Sequence, residues 1–80
     1  MKITTQGVCD EIRKYMKDEK LAMYVVENAA GIRSRKLSDI LRGRTALRMD
    51  EYIDICAALE VSPSYFVDMA MYAVEGSIEK

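Results

Sequence analysis

The spacing of apolar residues is the feature that most restricts how this chain can fold. Near the N-terminus, Val8, Ile12, Tyr15 and Met16 recur at intervals that place them on one face of an α-helix. Alternation of β-branched and polar residues, which would indicate strands, is absent. The same helical spacing continues along the chain and predicts five helices, at about residues 5–19, 21–30, 34–42, 49–59 and 62–75. We therefore expect an all-α fold.

Residues that start and stop helices support these boundaries. Thr5 is a suitable N-cap for the first helix. Gly31 and Gly43 follow the second and third helices, where a left-handed backbone commonly ends a helix. Ser62 and Pro63 suit the beginning of the fifth helix. Lys20, Leu21 and Ala22 offer no Ser, Thr, Asp or Asn cap, so the sequence does not define the start of the second helix.

The fourth and fifth helices carry much of the predicted core. The inner face of the fourth is expected to contain Met49, Tyr52, Ile53, Cys56 and Leu59. The fifth continues the apolar face with Tyr65, Phe66, Met69, Tyr72 and Ala73. Five short helices with short connections predict one compact domain over residues 1–80, with its core at about 5–75.

Composition excludes several kinds of catalytic site. The chain has no histidine and only two cysteines, so it cannot build a Cys/His zinc site or a His-dependent nucleophilic triad. We expect Cys9 and Cys56 to be reduced and buried, with a disulfide as the alternative. No phosphate-binding glycine loop is visible, so we expect no enzymatic activity and no cofactor. The chain has no apolar run near the roughly 18 residues that span a bilayer, and no signal segment, so we expect a cytoplasmic protein.

Charge is unevenly distributed along the chain. Residues 33–48 contain six cations and one acid, a net charge of +5. The rest of the chain has six cations and twelve acids, a net charge of −6, and the whole chain has a net charge of −1. A local basic segment matters more to a phosphate backbone than the overall sum. The distribution is therefore compatible with nucleic-acid binding despite an acidic pI of about 5.4.

The segment from residue 29 to residue 44 is the most informative about function. One predicted helix ends at Gly31, a short turn follows, and a second helix begins whose apolar residues are only Leu37, Ile40 and Leu41. Such a helix can bury one narrow stripe in its own domain and offer polar side chains to base edges in a major groove. A short turn containing glycine is what holds two helices at the required angle. The pattern predicts a helix-turn-helix at about residues 21–43.

Residues 21–66 resemble the lambda-repressor-like helix-turn-helix domains, also called the Cro/C1 type or XRE family. Residues 31–38, Gly-Ile-Arg-Ser-Arg-Lys-Leu-Ser, resemble the family's glycine turn followed by a polar run, and residues 40–44, Ile-Leu-Arg-Gly-Arg, resemble its Ile-aliphatic-Asn-Gly-Lys/Arg. Residues 55–62, Ile-Cys-Ala-Ala-Leu-Glu-Val-Ser, resemble its Ile-Ala-Lys-Ala-Leu-Gly-Val-Ser. Three features depart from the pattern. Glu27 replaces a small residue, often Ala, and Ala22-Met23 replaces Ser/Thr-Gln, whose Gln binds a phosphate. Asp39 stands where a base-reading polar residue often lies.

The resemblance implies a compact five-helix domain and a role for each polar residue of the basic segment. It implies base contacts from Ser34, Arg35, Ser38 and Asp39. The cations of the basic segment are candidates for phosphate contacts, and Arg42 and Arg44 are favoured because they flank Gly43; the full set is Arg33, Lys36, Arg42, Arg44 and Arg48. Family members usually bind palindromic sites as twofold dimers, so a homodimer is expected, with Tyr65, Phe66, Met69 and Tyr72 as tentative interface residues.

Each of these roles has a simpler alternative. Ser34 could be only the N-cap of its helix, and Arg35 could pair with Asp39 one turn later. Ser38 could be a neutral surface residue, the cations could be a solubilising face, and the aromatic residues of the fifth helix could be core. The resemblance favours a sequence-specific regulator that binds double-stranded DNA, most simply a repressor. The alternative is a protein-interaction module on the same fold.

Overall fold

The computed structural model describes residues 3–33 and 35–78, with side chains up to residue 73. The described part is all-helical, as predicted, and contains no strand. Its five helices are α1 (Thr5–Asp18), α2 (Met23–Ala30), α3 (Lys36–Leu41), α4 (Met49–Ala58) and α5 (Ser64–Ile78). Within the described residues no helix combines the length and the apolar character that a membrane span requires.

Helix α1 begins at Thr5 as predicted but has a different cap, and α2 begins later than predicted. The N-cap of α1 is Thr4 and not Thr5, since the Thr4 hydroxyl accepts a hydrogen bond of 3.0 Å from the Gly7 N–H. Helix α2 begins at Met23, two residues after the predicted start, because Ala22 is extended and offers no side-chain acceptor. The predicted end of α2 is confirmed: Gly31 has a φ of 71°, in the left-handed region.

Helix α3 is shorter than predicted. It begins at Lys36 and not at residue 34, because Arg35 has a φ of 73° and cannot belong to a right-handed helix. The turn after α2 is therefore longer than the three residues that the sequence suggested. The predicted stop after α3 is confirmed, since Gly43 adopts a φ of 81°.

The core is formed by the pair α1 and α5, the pair α2 and α4, and α3, which contacts one helix of each pair. Helix α1 packs against α3 and α5, while α2 packs against α4 and α3. The largest fully buried side chains are Ile12, Val26, Leu37, Ile40, Leu41, Ile55 and Phe66. The prediction for the cysteines is confirmed, because Cys9 and Cys56 are both free and buried. The Cys9 thiol donates to the Ile40 carbonyl at 3.6 Å, which connects α1 to α3.

Two of the five residues predicted to lie on the inner face of α4 are exposed, so their assignment was wrong. Met49 is 72% exposed and Ile53 is 47% exposed, whereas Tyr52, Cys56 and Leu59 are buried as expected. The buried side of α4 is rotated toward Ile55, which is fully buried. The apolar stripe of a short helix can be drawn in more than one register, and packing against α2 selects the one observed.

Helix α5 contributes fewer core residues than the sequence indicated. Phe66 is fully buried, and its ring makes edge-to-face contacts with Tyr15 and Tyr65 at centroid distances of 5.7 and 5.1 Å. Tyr72, by contrast, is 72% exposed, so its assignment to the core was wrong. Phe66 is enclosed by its own domain, and its tentative assignment to a dimer interface is corrected to the core.

Candidate nucleic-acid interface

Helix α3 has the two-sided character that a groove-binding helix requires. Leu37, Ile40 and Leu41 are buried, which confirms the narrow apolar stripe expected from the sequence. On its other side Ser38 and Asp39 are half-buried, and Arg42, which follows the last helical residue, is exposed. Base-edge recognition needs polar side chains outside the protein's own core, and this side of α3 supplies them. Ser34, the first of the predicted base contacts, lies outside the described residues.

Arg35 stands immediately before α3 and is exposed. Its backbone N–H donates a hydrogen bond of 3.0 Å to the Glu27 carboxylate, although its conformation is left-handed. Within the described residues its guanidinium forms no ion pair, and the alternative role, a pair with Asp39, is not found. The side chain is therefore free to reach a ligand from a backbone that is held in place.

Glu27 is the departure from the family pattern that the structure explains. The residue is only 7% exposed, and its carboxylate crosses from α2 to accept the Arg35 N–H. Its own backbone carbonyl accepts the Ile32 N–H at 2.9 Å, so one residue bonds to both ends of the turn. A buried carboxylate requires such a partner. The sequence marked Glu27 as unusual but gave no indication of which group it would bind.

Lys36, the first residue of α3, is bound to α4. Its ammonium lies 2.8 Å from Glu51, whose other oxygen accepts the Arg48 N–H at 3.1 Å. The side chain of Glu51 is 12% exposed and that of Lys36 is 42% exposed. The Lys36 hydrogen bond lowers the pKa of Glu51 from its ordinary value of 4.5, an effect that the Arg48 N–H reinforces and burial opposes. A phosphate contact by Lys36 would have to compete with this pair.

The other predicted phosphate contacts are more accessible. Arg33 and Arg42 are exposed and form no ion pair within the described part of the chain. The Arg44 guanidinium lies 4.0 Å from the Asp39 carboxylate, and the two side chains are 69% and 42% exposed. Arg48 lies 3.6 Å from Asp50, also in an exposed pair. Exposed ion pairs of this kind are weak and exchange readily for a phosphate.

The end of α3 is fixed by a residue that the sequence did not single out. The Gln6 side-chain amide of α1 donates to the Leu41 carbonyl at 3.4 Å and to Asp10 at 2.9 Å. Its oxygen lies close to where a Cβ on Gly43 would be, but the exposed Gln6 side chain can move aside, so it is the positive φ of Gly43 that requires glycine. The glycine was recognisable in the sequence, but its partner thirty-seven positions earlier was not.

Cations of α1 lie beside the beginning of α2. Arg13, Lys14 and Lys17 line an open cleft of about 610 Å³ together with Met23 and Leu41. In the sequence these cations belong to the part of the chain with a net charge of −6, and no role was predicted for them. In the described residues, no group of His, Cys, Asp and Glu is arranged to hold a metal ion.

The comparisons with known proteins agree with this geometry. The model of the Cro/C1-type HTH DNA-binding domain matches residues 11–68, which include α2, the turn, α3 and α4. No curated protein and no solved structure was found to match the chain. The match covers more than half of the chain and confirms the resemblance on which the sequence analysis relied. The chain therefore belongs to the Cro/C1-type helix-turn-helix DNA-binding domains.

Proposed function

We propose that this protein is a sequence-specific regulator of transcription that represses by occupying double-stranded DNA, with α3 in the major groove. The observation that carries the proposal is that Arg35 is exposed, forms no ion pair with any described residue, and stands at the start of a helix whose opposite face is buried. An arginine can bond bidentately to O6 and N7 of guanine, the commonest base-specific contact in DNA complexes.

The proposed base contacts are Arg35, Ser38, Asp39 and Ser34. Ser38 is small and half-buried, which suits a contact close to the groove floor. Asp39 would accept from cytosine N4 once released from Arg44. For the phosphates we propose Arg33, Arg42, Arg44 and Arg48, with Lys36 contributing only where it exchanges Glu51 for a phosphate.

We further propose that the protein binds as a homodimer on a site with twofold symmetry. Tyr72 supports this assembly, because a tyrosine exposed to this extent on α5 is a large apolar surface without a cover in the described chain. Tyr65 and Met69 lie on the same helix and complete the proposed interface, while Phe66 does not take part. Twofold symmetry would place two copies of α3 in successive major grooves.

The test is a selection from random duplexes at near-physiological salt with three proteins in parallel. Wild type is expected to enrich a palindrome, and Arg35→Ala is expected to lose preference at one position in each half-site. Arg42→Ala is the matched control, because it removes the same charge from a proposed phosphate contact. It is expected to weaken all sequences alike and to reduce the slope of log affinity against log salt by about 0.9. No enrichment with folded wild-type protein would refute the proposal.

A second candidate function is binding to a partner protein, and one observation favours it. The first turn of α2 exposes Met23, Tyr24 and Val25, which are apolar where a helix that approaches a phosphate backbone would carry polar residues. These side chains favour a protein partner on the same fold. Under this alternative a partner co-purifies in stoichiometric amount, Tyr24→Glu abolishes the complex, and the random-duplex selection enriches nothing.

A further inference from the structure

Arg35 has an unusual backbone conformation for its position. Three residues other than glycine have a positive φ in the described chain: Lys20, Arg35 and Glu60. Lys20 and Glu60 follow the ends of α1 and α4, where left-handed residues are common. Arg35 instead precedes a helix, where the N-cap residue is ordinarily extended. A side chain with a Cβ does not favour this conformation, so another part of the molecule must hold it.

Glu27 accepts hydrogen bonds from both sides of the turn that contains Arg35. Its carboxylate accepts the Arg35 N–H at 3.0 Å, and its backbone carbonyl accepts the Ile32 N–H at 2.9 Å. A hydrogen bond to an ionised acceptor is stronger than one between neutral groups, and burial of Glu27 limits competition from water. The turn between α2 and α3 is thus fixed at both ends by one residue of α2.

The backbone conformation of Arg35 determines how its side chain would approach a base. A bidentate contact to guanine requires the guanidinium to arrive in one orientation, which depends on the direction of the Arg35 Cα–Cβ bond. That direction is set by φ and ψ at Arg35. Helix α3 has six residues and cannot fix its own first turn, because so short a helix is not stable by itself. The next residue, Lys36, is bound by Glu51, so the chain is restrained on both sides of the Arg35 peptide.

We infer that Glu27 is a positioning residue that fixes the backbone of Arg35 and thereby determines the base preference at the position that Arg35 contacts. Glu27 need not touch DNA. The inference rests on the proposed function, since it requires that Arg35 contact a base.

The experiment repeats the random-duplex selection with Glu27→Ala and Glu27→Gln. Alanine is the residue that the family resemblance leads one to expect at this slot, and glutamine keeps an acceptor oxygen in a similar shape. Glu27→Ala is expected to lose roughly tenfold of the preference at the position that Arg35→Ala identifies. All other positions and the salt dependence should be unchanged, because the phosphate contacts remain. Glu27→Gln should recover most of the preference, which separates positioning from a general loss of structure.

The outcomes distinguish this inference from the proposed function. If wild type enriches no motif, both are overturned. If Arg35→Ala alters the motif and folded Glu27→Ala does not, the inference alone is overturned. Should Glu27→Ala fail to fold, hydrogen exchange at the Arg35 amide is compared in wild type and Glu27→Gln. Because glutamine keeps the acceptor oxygen, protection of this amide in both proteins by roughly tenfold or more over an unstructured peptide supports the inference, and exchange at the unstructured rate in both overturns it.

Discussion

The ion pair between Lys36 and Glu51 leads to a quantitative prediction about stability. The two side chains lie 2.8 Å apart and connect α3 to α4. A double-mutant cycle with Lys36→Met, Glu51→Gln and the double variant isolates their interaction, because methionine keeps most of the lysine stem and glutamine keeps the carbonyl oxygen. The free energy of unfolding of each protein is measured by urea titration at low salt.

The magnitude follows from the exposure of the two partners. Lys36 is 42% exposed, so solvent screens the pair and the coupling free energy should be about 0.5–1 kcal/mol. Glu51→Gln also converts a charge-assisted bond to the Arg48 N–H into a neutral one, so the single variant should lose about 1–2 kcal/mol. For a domain of this size, that corresponds to a fall in Tm of roughly 5–10 °C.

The coupling free energy between Lys36 and Glu51 should decrease as the pH becomes acidic. The pKa of Glu51 is lowered in the folded protein, so its contribution to stability is complete above the ordinary value of 4.5 and is lost as pH falls through the folded pKa. Wild type should therefore lose more stability between pH 5 and pH 3 than Glu51→Gln does, and the coupling should vanish at the acid end. A coupling near zero at pH 7, or one unchanged by acid, would refute the reasoning.

The same variant tests the role of Lys36 in DNA binding. Glu51→Gln removes the charge that holds the Lys36 ammonium, which then becomes available to a phosphate. If Lys36 lies at the DNA backbone, the slope of log affinity against log salt should steepen by about 0.9 in this variant. An unchanged slope would mean that Lys36 serves only to join α3 to α4.

Three further substitutions test individual features of the fold by thermal and urea unfolding. Gly43→Ala should cost about 1–2 kcal/mol, because φ is positive there and an alanine Cβ does not favour that conformation; an unchanged Tm would contradict this. Glu60→Gly should stabilise by about 0.5–1 kcal/mol, since Glu60 has a φ of 58°; a loss of stability would show that its side chain matters more than its backbone. Tyr52→Phe removes the bond to the Pro63 carbonyl and should cost about 1 kcal/mol. Burial raises the pKa of Tyr52 to about 12, so wild type should lose stability between pH 10 and pH 12 and the variant should lose less.

The helices and their approximate bounds could be predicted from sequence because local rules decide them. Gly31 and Gly43 end helices through a backbone conformation that glycine adopts without strain, and the stripe of α3 follows from helical spacing. Met49 and Tyr72 were assigned to the core by the same spacing, yet both are exposed. Periodicity indicates which residues share a face, but only tertiary packing determines how far that face extends around the helix and along it.

The interface was predicted less completely, because its decisive contacts join residues that are distant in sequence. Arg35 was recognisable as an exposed cation near the turn, but its left-handed conformation depends on Glu27, eight positions earlier. Likewise Lys36 was assigned to phosphate because nothing local indicates its pairing with Glu51. Glu27, an acid at a position that usually holds a small residue, was the one indication in the sequence. It suggests that the carboxylate accepts a hydrogen bond but does not identify the donor.

The residues that hold α3 in place are different from the residues that would contact DNA bases. Its rotation is fixed by the buried Leu37, Ile40 and Leu41, its beginning by the carboxylates of Glu27 and Glu51, and its end by Gln6. None of these side chains is on the exposed side of α3. Substitutions at Ser38 or Asp39 should therefore change which sequence is preferred while leaving the fold unaffected. Substitutions at Glu27 should alter recognition from a residue that never touches a base, so a search for specificity residues confined to the exposed face of α3 would be incomplete.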